Sequence, residues 1–236
     1  MAEVGSYNES IAYLKSLVGF EALRVIGVGA EAILVEGYLC RLHVVAKYRV
    51  PKVYRAEQLD NLLRKTRTVL EAKLLGRAAM AGVNVPHVVY VDAEEGLLVL
   101  TYVEGERMKE LLQDYREDLR RLAREVGYMV GLLHNEGIIH GDLTTSNIIV
   151  LRGRPYIIDF GLGFLSRRIE DAGVDLHLFK RALESTHPSL VEEVFSSFAE
   201  GYRLARGSVA EEVLRKVEEI RMRGRYVAQR RRKLFW

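Results

Sequence analysis

His140-Gly141-Asp142-Leu143-Thr144-Thr145-Ser146-Asn147, followed after an apolar run by Ile158-Asp159-Phe160-Gly161, constrains this chain more than any other segment. The pattern is H-x-D-x-x-x-x-N and then D-F-G. A phosphoryl-transfer site needs a carboxylate to hold the attacking oxygen. It also needs an amide oxygen and a second carboxylate to hold Mg²⁺ against nucleotide phosphates. Asp142, Asn147 and Asp159 supply these types in this order. Each alone has an ordinary structural use: an Asx-turn, a cap, a strand-end turn. Together, after a long helix, they point to an ATP-using protein.

The rest of the chain is organised to match. Strand-like alternation runs through residues 23–28, 33–38 and 42–48, punctuated by Gly27, Gly29 and Gly37. Residues 58–81 read as a charged helix with Leu59, Leu62, Val69, Leu70 and Leu74 on one side. Residues 88–91 and 97–103 are two more strands, which predicts a five-stranded sheet with one helix. Residues 8–17 suit a short helix before it. Past Gly105 the pattern turns helical. Residues 116–136 carry the apolar stripe Leu119, Leu122, Ala123, Val126, Met129, Val130 and Leu133. Short strands at 148–151 and 156–159 flank a turn at Gly153. Helices follow at 174–185, 189–205 and 208–222, the last with Ser208 as N-cap. The expected fold is α+β, bilobal and protein-kinase-like: a small β-rich N-lobe and a reduced helical C-lobe lacking a full activation segment. The divisions are an extension at 1–22, lobes at 23–104 and 105–224, and a basic tail at 225–236.

Lys47, in the strand Val44-Val45-Ala46-Lys47, is placed to reach phosphate, with Glu71 on the charged helix to hold it and Glu57 as the alternative. Gly27-Val28-Gly29-Ala30-Glu31-Ala32 lies between two strands, where a phosphate-covering loop belongs. It lacks the final glycine of G-x-G-x-x-G, and Glu31 puts a negative charge there. Gly27, Gly29, Ala30, Glu31 and Ala32, with Tyr102 and Val103 in the hinge, are the expected nucleotide contacts.

Composition narrows the setting. One cysteine, Cys40, excludes a disulfide framework and favours a reducing compartment. No apolar run approaches a membrane span, so a cytoplasmic protein is expected. The formal charge of +3 is uneven. Arg221, Arg223, Arg225, Arg230, Arg231, Arg232 and Lys233 form a basic run without a carboxylate, and the body is mildly acidic. With Tyr226, Phe235 and Trp236, that run suits phosphates and exposed bases, or else a solvated helix end.

These residues together resemble the small atypical, Rio-related kinase/ATPase subunit of the KEOPS complex. The match runs from about Gly29 to Arg225. It includes Arg49-Val50-Pro51-Lys52, Arg67-Thr68-Val69-Leu70-Glu71, Gly82-Val83-Asn84-Val85-Pro86, the two motifs above, Val174-Asp175-Leu176, Ser185-Thr186-His187-Pro188 and Arg221-Met222-Arg223-Gly224-Arg225. The resemblance implies ATP and Mg²⁺ as cofactors, with Lys47, Asp142, Asn147 and Asp159 in the roles above. It also implies partners: a tRNA threonylcarbamoyl transferase subunit, small accessory subunits and tRNA. Gly141 and Thr144 stand where ordinary protein kinases carry arginine and lysine. No A-P-E follows Gly161, and Asp175 comes soon after it. A peptide-docking platform is therefore not expected, and coupled ATP hydrolysis is favoured over broad phosphorylation. Ser166 is a possible autophosphorylation site, although a turn serine is the commoner role. The alternatives are a stand-alone Rio-like Ser/Thr kinase, a small-molecule phosphotransferase and a non-catalytic scaffold.

Overall fold

The computed structural model describes Leu14, residues 19–114 and residues 118–233, excepting the side chains of Asp114 and of residues beyond 223. The helix expected at 8–17 lies outside these residues apart from Leu14. The chain divides into two compact units, one running up to Gly76 and including Pro86–Glu104, the other comprising Arg77–Val85 and the chain from Gly105.

In the first unit, strands β1 (Phe20–Val28), β2 (Ala32–Leu39), β3 (Leu42–Arg49), β4 (Val88–Asp92) and β5 (Leu97–Thr101) form an antiparallel sheet in the order β1-β2-β3-β5-β4. Alternation in β3 sends Val44, Ala46 and Tyr48 into a core with Leu14, Phe20, Ile33, Val35, Leu97 and Val99. Lys47 and Arg49 therefore share the opposite face.

Helix α1 (Glu57–Met80) supplies the unit's helix. Its expected apolar stripe fails at the start, where Leu59 and Leu62 are 51% and 60% exposed, and holds at Leu74, which is buried, with Val69 and Leu70 half-buried between them. The buried positions are instead Asp60, Arg64, Thr68 and Glu71, at helical spacing on a different face. Each is buried with a polar partner: Glu71 with Lys47 and Arg49 of β3, Asp60 with Arg55 and Arg64, and the Thr68 hydroxyl with the Arg64 carbonyl, so the inward face of α1 is polar over its first turns. Only from Leu74 and Leu75 onward does it become apolar.

The second unit contains β6 (Glu106–Arg107), α2 (Met108–Asp114), α3 (Leu119–Asn135), β7 (Ile138–Ile139), β8 (Ile148–Leu151), β9 (Arg154–Ile157), β10 (Phe164–Leu165), α4 (Ile169–Thr186), α5 (Val191–Arg206) and α6 (Val209–Lys233). Two small antiparallel sheets, β6-β8-β9 and β10-β7, frame the motif region. All seven residues of the stripe read for α3 are buried.

Helices α3 and α5 pack closely at glycines. A Cβ on Gly201 would stand 1.7 Å from the Arg124 carbonyl oxygen, and one on Gly127 would stand 1.9 Å from that of Phe198. Overpacking costs about 1–3 kcal/mol where atoms can shift, and backbone oxygens shift least. Gly201→Ala should therefore lower the melting temperature by roughly 2–12 °C, measured by calorimetry.

Other element ends differ from expectation. Helix α4 begins at Ile169 rather than 174, and Ser166 braces the turn before it. Its Oγ accepts from the Arg168 N–H at 3.1 Å and donates to Asp171 at 2.5 Å. Strand β9 stops at Ile157, so Asp159 lies past the strand rather than ending it. The backbone of α6 continues to Lys233, so most of the basic tail extends this helix.

Candidate active site

The first unit holds a buried ion-pair cluster. Lys47 Nζ donates to Glu71 Oε1 at 2.7 Å, and Arg49 Nη2 donates to Glu71 Oε2 at 2.6 Å. Glu71 is 1% exposed. Glu57, the alternative partner, is exposed in the first turn of α1. Arg64 joins the cluster's edge, bonding Asp60 at 3.1 Å and the Glu95 carbonyl at 2.8 Å.

Glu31 does not stand as an isolated negative charge in its loop. Arg67 donates to it, and Arg49 and Arg55 lie 3.8 and 3.9 Å away. Burial pushes its carboxyl up, but these three guanidinium groups outweigh that and hold it below the usual carboxylate range. The loop around it is pinned by the Gly29 N–H to the Ala32 carbonyl at 2.9 Å and the Val50 N–H to the Glu31 carbonyl at 3.1 Å. Gly27 lies in β1 opposite Leu34, and Ala30 is in the loop between β1 and β2. Tyr102 and Val103 follow β5, and the Tyr102 ring stacks on His43 at 4.2 Å.

The second unit gathers Asp142, Asn147 and Asp159. The β8–β9 hairpin pairs Ile148 with Ile157, and one step further the Ile158 N–H donates to the Asn147 carbonyl at 2.9 Å. Register thus sets Asn147 and the residue before Asp159 side by side. The Asn147 amide nitrogen donates to both the backbone oxygen and the Oδ2 of Asp142, each at 2.9 Å. Asp159 has φ +63°, and its Oδ1 accepts from the Gly161 N–H at 3.1 Å. This is an Asx-turn, in a left-handed conformation that aspartate tolerates better than most residues.

Gly141 is required by its backbone as well as distinguished by its missing side chain. It has φ +79°, and a Cβ would lie 2.3 Å from the Leu162 carbonyl oxygen. Behind the loop, Asp175 of α4 accepts from the His140 N–H at 2.8 Å, the Gly141 N–H at 2.9 Å and His134 Nε2 at 3.2 Å. His134 Nδ1 meets the Tyr202 hydroxyl at 2.9 Å, and burial pushes that phenol up to about 12. His140 Nδ1 accepts from the Asp142 N–H at 3.3 Å, so Nε2 carries the proton that bonds the Ile158 carbonyl at 3.0 Å. Asp175 entered the sequence reading within a matched segment and as the mark of a short path after Gly161, without a role of its own. The available signal was an acid on the inward stripe of α4, one position from Leu176 and four from Phe179.

The donor set fits Mg²⁺. Asn147 spends its nitrogen on Asp142, which leaves its oxygen as the end suited to a hard cation, and Asp159 contributes a carboxylate. No group of three or more His, Cys, Asp or Glu among the described residues could hold a metal. Two protein oxygens completed by phosphates and water is the usual Mg²⁺ arrangement at a nucleotide site.

The basic run is not uniformly available. Arg221 pairs with Glu218 at 3.2 Å, and Arg223 pairs with Glu170 at 2.8 Å. The side chains of Arg225, Arg230, Arg231, Arg232 and Lys233 lie outside the described residues. No helix among the described residues is long and apolar enough to cross a membrane.

A small β-sheet unit with a buried lysine–glutamate pair, a unit carrying H-x-D-x-x-x-x-N and D-F-G, and a direct run from Gly161 through β10 into α4 define an atypical kinase. The RIO domain family matches residues 42–163. Over 212 residues the chain is 45% identical to KEOPS complex subunit Bud32 of Pyrococcus abyssi, covering 86% of this chain and 96% of that one. It is 37% identical over 226 residues to EKC/KEOPS complex subunit BUD32 of Yarrowia lipolytica, covering 85% and 91%. A probable bifunctional tRNA threonylcarbamoyladenosine biosynthesis protein of Methanosphaera stadtmanae is 39% identical over 199 residues, covering 84% of this chain and 36% of that longer protein. The Rio2 kinase–ADP/Mg²⁺–phosphoaspartate complex from Chaetomium thermophilum shares the fold, with a TM-score of 0.61 at 16% identity, covering 94% of this chain and 75% of that one. The chain belongs to the Bud32 family of Rio-like kinase subunits.

Proposed function

We propose that this chain binds Mg·ATP and hydrolyses it as a KEOPS subunit, supporting formation of N6-threonylcarbamoyladenosine in tRNA. The observation that carries the chemistry is the Asp142–Asn147 contact beside Asp159. Asp142 holds the attacking oxygen and takes its proton as that oxygen bonds to the terminal phosphorus and ADP leaves. Asn147 and Asp159 would hold Mg²⁺, which neutralises charge on the phosphates. Lys47, steadied by Glu71, attracts phosphate oxygens. Gly27, Gly29, Ala30, Ala32, Tyr102 and Val103 are the nucleotide contacts. Glu31 takes part through its arginines rather than as a ligand.

The short path from Gly161 to Ile169 leaves little chain for a peptide platform, which favours water as acceptor and weak phosphorylation of Ser/Thr. Ser166 is a poor self-acceptor, since its hydroxyl is engaged by Asp171 and Arg168. The bifunctional relatives support a partner, because their chains extend far beyond this domain under a tRNA-biosynthesis name. We assign the transferase subunit and small accessory subunits as partners, the basic end of α6 as the tRNA contact, and the cytoplasm as the place of action.

The test is ATP turnover by the purified chain, alone and with transferase and tRNA, counting free phosphate and phosphoprotein separately. Free phosphate should rise with partner and RNA. Phosphate accumulating on protein without response to RNA would instead mean a stand-alone protein kinase, as the name of the Archaeoglobus fulgidus relative, probable serine/threonine-protein kinase BUD32 homolog, describes. Removing residues 225–236 should weaken tRNA binding and flatten its salt dependence by roughly 0.7–0.9 per lost phosphate contact. An unchanged slope rejects the RNA arm.

A further inference from the structure

Glu71 is shared. Its two carboxylate oxygens are taken by different cations from one strand, Lys47 at 2.7 Å and Arg49 at 2.6 Å. Residues 47 and 49 reach it together because side chains two apart on a strand share a face. Arg49 is itself fixed through both of its backbone polar groups. Its N–H donates to the Gly96 carbonyl at 3.0 Å, and its carbonyl accepts from Arg64 at 3.4 Å. Its guanidinium is 5% exposed and lies 3.8 Å from Glu31.

We propose that Arg49 is a positioning residue for the phosphate-handling Lys47, acting through Glu71. One ammonium against one carboxylate is electrically neutral, and a buried lysine so paired has little charge left to attract phosphate. The second cation makes the triad net positive. Arginine stays charged under all working conditions and binds in a fixed fork, so it compensates Glu71 while Lys47 attends to an anion. It also ties α1 to β3 whether or not nucleotide is present, so the glutamate needs no separate event to bring it to the lysine. This inference rests on the Mg·ATP reading above.

The experiment is a double-mutant cycle on the full chain: native, Arg49→Met, Glu71→Gln and both together. It is read by ATP dissociation constant in calorimetry and by kcat/KM, with Tm alongside. Arg49→Met should weaken ATP binding and lower kcat/KM by about tenfold in the native background, and by less than about twofold once Glu71 is Gln. A purely structural arginine would lower Tm and reduce binding equally in both backgrounds. Equal losses, or no loss in affinity, overturn the inference. The Lys47–Glu71 pair remains in Arg49→Met, so no carboxylate is stranded. If that variant still fails to fold, Arg49→Lys run through the same cycle, with a smaller but Glu71-dependent loss, decides the matter. A native chain that binds no Mg·ATP overturns the Mg·ATP reading itself. A native chain that binds it, with equal losses in both backgrounds, overturns only the role of Arg49.

Discussion

Asp159→Asn should lower Mg·ATP turnover by about a thousandfold or more while the chain stays folded. Asparagine is the informative replacement because of the local backbone. At φ +63° alanine pays about 1–2 kcal/mol of left-handed strain, which would mix a folding defect with a chemical one. Asparagine tolerates that conformation, and its Oδ1 can still accept from the Gly161 N–H, so the Asx-turn survives. The negative charge that a hard dication needs is lost. Phosphate release measured across a Mg²⁺ titration, beside a calorimetric melt, checks both halves. A variant retaining more than a tenth of native turnover at ordinary Mg²⁺ would remove Asp159 from the metal assignment.

Asp175→Asn should cost about 3–5 kcal/mol of stability and most of the turnover. Three donors converge on this carboxylate: the His140 N–H, the Gly141 N–H and His134 Nε2. An amide offers one acceptor oxygen and turns an N–H₂ toward the remaining donors. The loop carrying Asp142 then loses its anchor to α4. Acidity provides a second signature. Burial pushes the Asp175 carboxyl up, but the His134 donor and the His140 backbone outweigh it and hold it below the usual range. A carboxyl depressed in the folded state contributes its stability fully above the unfolded value of about 3.9, and loses it as pH falls through the lower folded value. The gap in stability between native and variant should therefore be widest near neutrality and narrow below about pH 4. Denaturant unfolding at several pH values measures it. A gap independent of pH down to the acid limit would mean that the carboxylate charge carries none of the effect.

Both predictions concern residues that differ in how they could be found. The placement of Asp142, Asn147 and Asp159 was legible because the two motifs set fixed residue types at short, fixed spacing, and because a hairpin with a tight turn at Gly153 brings Asn147 beside the residue before Asp159. Lys47 was legible from strand alternation, and Glu71 from sharing a helix with Leu70 and Leu74. Arg49 entered only within a matched segment and was given no role although it stands two residues from Lys47, since a charged residue at a strand end is ordinarily solvated. The apolar stripe assigned to α1 failed at Leu59 and Leu62 for a related reason. Periodicity counts apolar residues and assumes that burial follows them, whereas here Asp60, Arg64, Thr68 and Glu71 are buried by pairing.

Local chemistry along the chain was enough to set the order of strands and helices, the stripe of α3, the turn at Gly153 and the grouping of Asp142 with Asn147. Each depends on residues close in sequence, where steric and hydrogen-bonding rules act without knowledge of the rest. Only the folded arrangement decided which face of α1 is inward, that Glu31 is held by Arg67 with Arg49 and Arg55, that Asp175 anchors Gly141, and that α3 and α5 touch at Gly127 and Gly201. Those outcomes depend on pairs far apart in the chain. Whether a charge is solvated or compensated, and whether a missing Cβ is incidental or required, is settled by the partner that folding brings against it.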